Sequence, residues 1–199
     1  MEPGREIEKI GSTGRATPHV RLEIRDDNGR CVPAGVQGEI CLSGPKITKG
    51  YWRDPVKTAA TFHADGWLRT GDLGYLDADG FLFLTDRMKD MIISGGENIA
   101  SSEVERVLYQ MDQVAEAAVI GLPDAQWGER VVAVVVVHGG AQLDYPTLQA
   151  HCRRHLAGFK VPKQLICVDS LPRNPSGKML KRVLRAQLAG SSASSPSTP

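Results

Sequence analysis

No apolar run in the chain is long enough to cross a membrane: the longest, residues 131–137, covers seven positions, where a spanning helix needs about 20. A charge surplus is missing as well. Twenty-four basic residues face 23 acidic ones, a net charge of +1, which excludes a general electrostatic attraction to nucleic acid or to an anionic membrane; any bound anion must be held locally. Met1 leads into Glu2, Pro3, Gly4 and Arg5 instead of an apolar stretch, so no secretory leader is read there and a cytoplasmic protein is expected. There is no C-x-x-C pair. Cys31, Cys41, Cys152 and Cys167 are scattered through apolar patterns and are expected to be reduced core thiols that neither staple nor ligate. No internal repeat is found. What is there is 199 residues, 41% of them apolar, enough for one ordinary domain or two small ones around a real core.

The first part of the chain reads as short strands and turns. Residues 20–25 and 37–42 alternate, Asp27-Asn28-Gly29 is a hairpin signal, and a strand pair surrounds Asp79-Gly80. Phe81, Phe83 and Thr85 fall on one face of that pair and Leu82 and Leu84 on the other, so both faces are expected to be partly covered. From Met91 the pattern changes to strands alternating with helices, beginning with the glycine turn Ser94-Gly95-Gly96-Glu97-Asn98. Ser102 with Glu105 reads as a capping box, and Val104, Val107, Leu108 and Met111 make one apolar stripe. Residues 114–121 and 130–138 are rich in β-branched side chains and read as strands joined by a loop over 122–129. Leu148, Cys152 and Leu156 mark a second helix, 164–168 a further strand, and 178–188 a basic helix. The Ser/Pro/Ala-rich residues 190–199 are expected to be disordered. The fold class is therefore α+β.

Three clusters could carry chemistry: Gly66-Trp67-Leu68-Arg69-Thr70-Gly71-Asp72-Leu73, then Asp86-Arg87-Met88-Lys89-Asp90 running into the glycine turn, and Asn174-Pro175-Ser176-Gly177-Lys178. Each alone has a bland reading, as a turn, a surface ion pair or a solvated loop end. Lys181, Arg182 and Arg185 read as the solvated face of a basic helix. His151 and His155 stand four apart, a spacing that could serve a metal, but Arg153 and Arg154 lie between them and no third ligand is evident. A solvated helix face is expected there and no metal site is assigned.

In this order and at these separations the three clusters resemble the core motifs of the adenylate-forming superfamily of acyl-CoA synthetases, luciferases and peptide-synthetase adenylation domains. The connecting segments Pro123-Asp124 to Trp127-Gly128-Glu129 and Gly158-Phe159-Lys160-Val161-Pro162-Lys163 match as well, and the likeness runs over residues 11–188. The chain looks like the C-terminal part of an AMP-forming acyl-CoA synthetase. The resemblance implies that residues 1–86 are a β-rich remnant of the large AMP-binding domain and 87–189 a mobile α+β C-terminal domain, hinged near Lys89. It implies that Asp72 binds the ribose hydroxyls of ATP, since a carboxylate accepts two hydrogen bonds from a vicinal diol. Arg87 would reach the nucleotide with its planar fork of donors.

Lys178 matches the lysine that bridges the acid's carboxylate and the attacked phosphate. A cation about 4 Å from an oxyanion is worth on the order of 4 kcal/mol at an effective dielectric near 20, roughly a thousandfold in rate. The Ser-Gly context before it is expected to point it inward. The Gly95-Gly96 turn would let the pantetheine arm of CoA pass close to backbone, with Trp127 and Phe159 as aromatic CoA contacts.

The phosphate loop and the aromatic-Gly-x-Thr-Glu segment of the family, with its Mg2+ site, are not found here; both normally precede the matched stretch, as does the acid pocket. The expected partners are a carboxylic acid, ATP, CoA and a separate N-terminal half of the enzyme. Two other readings stand beside this one: an adenylation domain loading a carrier-protein thiol, against which the Ser94 to Asn98 turn speaks, and a noncatalytic remnant acting as a binding module.

Overall fold

The computed structural model describes residues 9–191. By its internal contacts the chain divides into two compact units, with the boundary between Lys89 and Asp90.

The first unit is built on an antiparallel five-stranded sheet in the order β1-β5-β4-β3-β2, from β1 (Ser12–Gly14), β2 (Arg21–Arg25), β3 (Gly38–Ser43), β4 (Leu68–Leu76) and β5 (Leu82–Arg87). Two aspartates nucleate its turns. Asp26 accepts from the Asn28 and Arg30 amides, and Asp77 from those of Asp79 and Phe81, the side-chain mimicry of a backbone turn that makes aspartate favoured there. The second turn joins β4 to β5 as the sequence suggests. The first does not make a hairpin of β2: only an isolated bridge, Arg25 with Cys31, follows it, and β2 pairs instead with β3. Ile24, Ile40, Cys41, Trp67 and Phe81 form the buried interior. Leu84 is 53% exposed, so its face of β5 is more open than expected. A short helix, α1 (Pro55–Thr61), starts at Asp54, whose side chain accepts from the Lys57 amide, with proline in the first turn.

The second unit is a mixed sheet with helices on both faces. Its strands are β6 (Ile92–Ser94), β7 (Glu97–Ile99), β8 (Val114–Asp124), β9 (Gly128–Val137) and β10 (Gln164–Cys167), in the order β10-β9-β6-β7, with β8 pairing β9 and β10 parallel to β9. Val131 to Val135 are all fully buried, because alternate side chains of β9 enter two different cores. Val131, Ala133 and Val135 pack with α2 (Ser101–Leu108) and α3 (Tyr145–His155), while Val132 and Val134 meet Leu184 of α4 (Lys181–Ser191). A continuous apolar run is the pattern a strand covered on both sides requires. The stripe Val104, Val107, Leu108 and Met111 is buried as expected. These sheets and the four helices make the chain α+β.

Several local expectations are corrected. Helix α2 begins at Ser101 with Ala100 at its N-cap, so Ser102 and Glu105 do not stand at capping positions. Glu105 instead accepts from the Val119 amide at 2.8 Å and pairs with Lys181 at 2.6 Å. Lys181 and Arg185 are not solvated: Lys181 also donates to Ser101 Oγ, and Arg185 pairs with Asp90 at 3.1 Å, fastening α4 to its neighbours. The β8–β9 hairpin runs on to Asp124 and Gly128, leaving a connection of three residues where a loop of eight was expected. Cys31 and Cys167 are exposed; only Cys41 and Cys152 are core thiols. Helix α4 extends to Ser191, into the stretch expected to be disordered; residues 192–199 lie outside the described residues, as do residues 1–8. Among the described residues no helix is long and apolar enough to cross a membrane.

Candidate active site

In the first unit the Thr70-Gly71-Asp72 turn lies within β4, and the side chains of Thr70 and Glu39 fix it. Gly71 has φ of 72°, a left-handed conformation that glycine adopts without strain. Thr70 Oγ1 donates to the Ile40 carbonyl at 2.7 Å and accepts the Asp72 amide at 3.1 Å. Glu39, only 5% exposed, takes the Gly71 amide on one oxygen at 3.2 Å and Arg69 Nε on the other at 2.9 Å. A buried carboxylate satisfied in this way orients the groups that satisfy it. Sequence reasoning missed Glu39. No signal marked it: alternation over 37–42 sets Glu39 in phase with Gln37, where a solvated charge is the ordinary reading.

The register then sets Asp72 opposite Arg87, and Arg87 Nε comes within 3.3 Å of Asp72 Oδ1. Both remain partly exposed, at 41% and 38%, so their polar atoms are open to a ligand. They border a cavity of about 480 Å³ lined by Thr70, Gly71, Asp72, Arg87, Met88 and Lys89. Lys89, the last residue of this unit, sits in a single 3-10 turn, Met88–Asp90.

Glu39, Cys41 and His63 also bring one ligand atom each within 4.8 Å, with Cys41 Sγ 3.5 Å from His63 Nε2. Burial, then the charge of Glu39, pushes the Cys41 thiol up to about 11, so it stays protonated, and both Glu39 oxygens already hold donors. Mg2+ takes oxygen ligands, and this set does not fit it.

In the second unit β6 and β7 form a hairpin whose two turn residues, Gly95 and Gly96, have φ of 62° and 83°, the glycine-rich two-residue turn that matches strand twist. The Gly95 amide donates to the Trp127 carbonyl at 2.8 Å, and a Cβ added at Gly95 would lie 2.9 Å from the indole. The turn and the tryptophan are thus brought together. Trp127 is held by Asp124, whose Oδ1 accepts its amide, and Lys163 Nζ stands 5.4 Å from the indole centroid. Phe159 lies in the 3-10 turn Gly158–Lys160; Lys160 lies over its ring and pairs with Glu103 at 2.7 Å. Trp127 and Phe159 are each 41% exposed, apolar surface beside lysines.

Lys178 stands in the tight loop before α4. Its amide donates to Asn174 Oδ1 at 2.8 Å, but the side chain does not point inward: the residue is exposed and its ammonium has no partner among the described residues. His151 spends Nε2 on the Val107 carbonyl at 3.0 Å, and its ring is 4.8 Å from that of His155. It is thus partly engaged with α2 rather than freely solvated, and the pair belongs to no cluster of three ligands among the described residues.

Two family profiles match the chain: residues 1–52 fit the AMP-binding enzyme family, and residues 103–178 fit the AMP-binding enzyme C-terminal domain. The chain is 46% identical over 92% of its length to the fatty acid–[acyl-carrier-protein] ligase ScoC of Streptomyces coeruleorubidus, covering 35% of that protein. It is 47% identical to a feruloyl-CoA synthase of an Amycolatopsis species, over 89% of this chain and 36% of the other. Among solved structures, the o-succinylbenzoate CoA synthetase MenE of Bacillus subtilis, in complex with its acyl-adenylate intermediate, superposes with a TM-score of 0.84 at 41% identity, over 94% of this chain and 37% of that one. Fold and sequence together define an adenylate-forming class. The chain belongs to the AMP-binding enzyme family, and it spans about a third of the length of the curated relatives it matches.

Proposed function

We propose that the chain supplies the ribose anchor, the adenylating lysine and the acceptor face of an acid-thiol ligase. The acid attacks ATP to give acyl-adenylate and pyrophosphate, and a thiol then attacks the acyl carbon and expels AMP. The observation that carries this reading is the Asp72–Arg87 pair at the mouth of its cavity, on a turn held by buried Glu39. The two remain within reach of a nucleotide. Asp72 accepts from the ribose hydroxyls and Arg87 donates to ribose or phosphate oxygens. Lys178, exposed and unpaired, neutralises carboxylate and phosphate as they join. Lys89 is the hinge between the two units. Because a hinge absorbs backbone rotation, its side chain is dispensable.

The thiol we favour is that of CoA. Gly96 leaves open space for the pantetheine arm beside Trp127, whose indole fills the space over Gly95, and Trp127 and Phe159 offer exposed rings to the nucleotide end of CoA. Mg2+ would accompany ATP outside this chain, in the region of the relatives that the chain does not cover. A second reading, transfer to a carrier-protein thiol, is favoured by one observation: a relative at 46% identity is an acyl-carrier-protein ligase, although the Ser94 to Asn98 turn was expected to speak against such an acceptor. Calorimetric titration of the chain with CoA and with a phosphopantetheinylated carrier protein separates the two. Saturable CoA binding that is lost in Trp127→Ala supports the CoA reading; binding of the carrier alone supports the other; binding of neither favours a remnant. Because the acid pocket lies in the uncovered region, the chain alone is expected to release no acid-dependent pyrophosphate. Release by the pure chain would contradict that division of labour.

A further inference from the structure

The loop that carries Lys178 is held at both ends by the core on the α4 face of the sheet: Leu171 and Leu184 are buried there, with Met179 packed against them. Within the loop, Asn174 closes the turn. Its Oδ1 accepts from the Lys178 amide and from Ser176 Oγ, and its carbonyl accepts from the Gly177 amide at 2.9 Å. These bonds shape the loop but do not fix it on the sheet. Arg173 does. One arm of its guanidinium donates to the Gly177 carbonyl at 2.7 Å, and the other to Glu116 Oε2, also at 2.7 Å.

Glu116 faces this loop because it shares the alternation of Ala118 and Ile120, and a break in β8 lies just before it. The β8–β9 register shifts between Val114 and Glu116, so that Val114 opposes Val137 and Glu116 opposes Val136. Val114 enters the same core as Ala117 and Val119, although regular alternation would set it on the opposite face from them. Glu116, beyond the shift, keeps regular alternation with Ala118 and Ile120 and lies on their side, the side covered by α4. A bulge of this kind commonly re-aims one side chain; here it turns Val114 into the opposite core, and Glu116, the first residue of the regular stretch, receives Arg173.

Resting on the assignment of Lys178 as the adenylating lysine, we propose that Arg173 and Glu116 are a positioning pair: they brace the Gly177–Lys178 peptide against β8, so that Lys178 swings with the whole unit rather than on a loose loop. The pair is half exposed, with side chains 41% and 38% accessible. Such pairs add little to global stability, whereas pre-ordering a catalytic group counts fully in the step that uses it.

Amide hydrogen exchange on the chain reads the brace directly. In Arg173→Ala the Gly177 and Lys178 amides exchange about ten-fold faster, the loss expected for one charge-assisted hydrogen bond, while β8 and β9 amides and the melting temperature stay put. Unchanged exchange at those two amides overturns the brace. If Arg173→Ala lowers the melting temperature, Glu116→Gln, which keeps shape and removes charge, decides by the same readout. In a ligase completed with the N-terminal region, Arg173→Ala slows adenylate formation and spares thiol transfer from supplied acyl-adenylate. Equal loss in both half-reactions overturns the positioning role. If Lys178→Ala leaves adenylate formation unchanged, the reading of Lys178 fails, and the exchange result still judges the brace.

Discussion

Cys41 and Cys152 are buried, and burial pushes both thiols up to about 11; Cys31 and Cys167 are exposed. A thiol reagent should therefore label two cysteines in the native chain and four after unfolding; four in the native state would contradict the burial. The sign of the pH effect follows. With native values above that of a free thiol, the unfolded state loses its protons first, so this contribution to stability is intact below about pH 9 and is lost as pH rises toward about 11. Unfolding midpoints measured across that range should fall less steeply in a Cys152→Ala variant. The sequence could not sort these four, because each falls within an apolar pattern of spacing. Cys167 ends β10, at the edge of its sheet, and Cys31 follows a turn, positions that only strand order reveals. Glu39 was equally hidden. Its removal in Glu39→Ala strands the Gly71 amide and Arg69, which should cost about 1–3 kcal/mol in denaturant unfolding and weaken nucleotide binding by loosening the Thr70–Asp72 turn.

Among the elements, α2 was the most legible, since four apolar residues at helical spacing leave one buried face to choose; Leu108→Ala on that face should cost about 2–5 kcal/mol by the same measurement. Loops were harder. Pro123 and Gly128 suggested a long connection after residue 121, yet β8 continues through Pro123, opposite Glu129. Proline is tolerated there because β8 pairs only with β9 and its other edge needs no donor. The Gly95-Gly96 hairpin was legible because two adjacent glycines have one common use between extended residues. Gly95→Ala should strain the turn by about 1–3 kcal/mol and displace the Trp127 ring, which a change in tryptophan emission reports. Unaltered emission would show that the indole does not rest on this turn.

For the whole molecule, the motifs Thr70-Gly71-Asp72, Arg87 and Gly177-Lys178 announced the family before any coordinates, because their order and separations are far more specific than any one of them. Their side-chain surroundings were not legible: that Asp72 pairs with Arg87, and that Lys178 stands exposed, depend on register and on a loop conformation no spacing encodes. If Lys89 is a hinge, Lys89→Ala should leave both half-reactions of the complete ligase intact, while Lys89→Pro, which fixes φ, should impair thiol transfer more than adenylate formation. The most direct measurement separates the half-reactions of that ligase in Lys178→Ala. Adenylate formation should fall by roughly a thousandfold, with transfer from supplied acyl-adenylate to the thiol unchanged. Equal loss of both steps, or full retention of the first, would contradict the role given to this lysine.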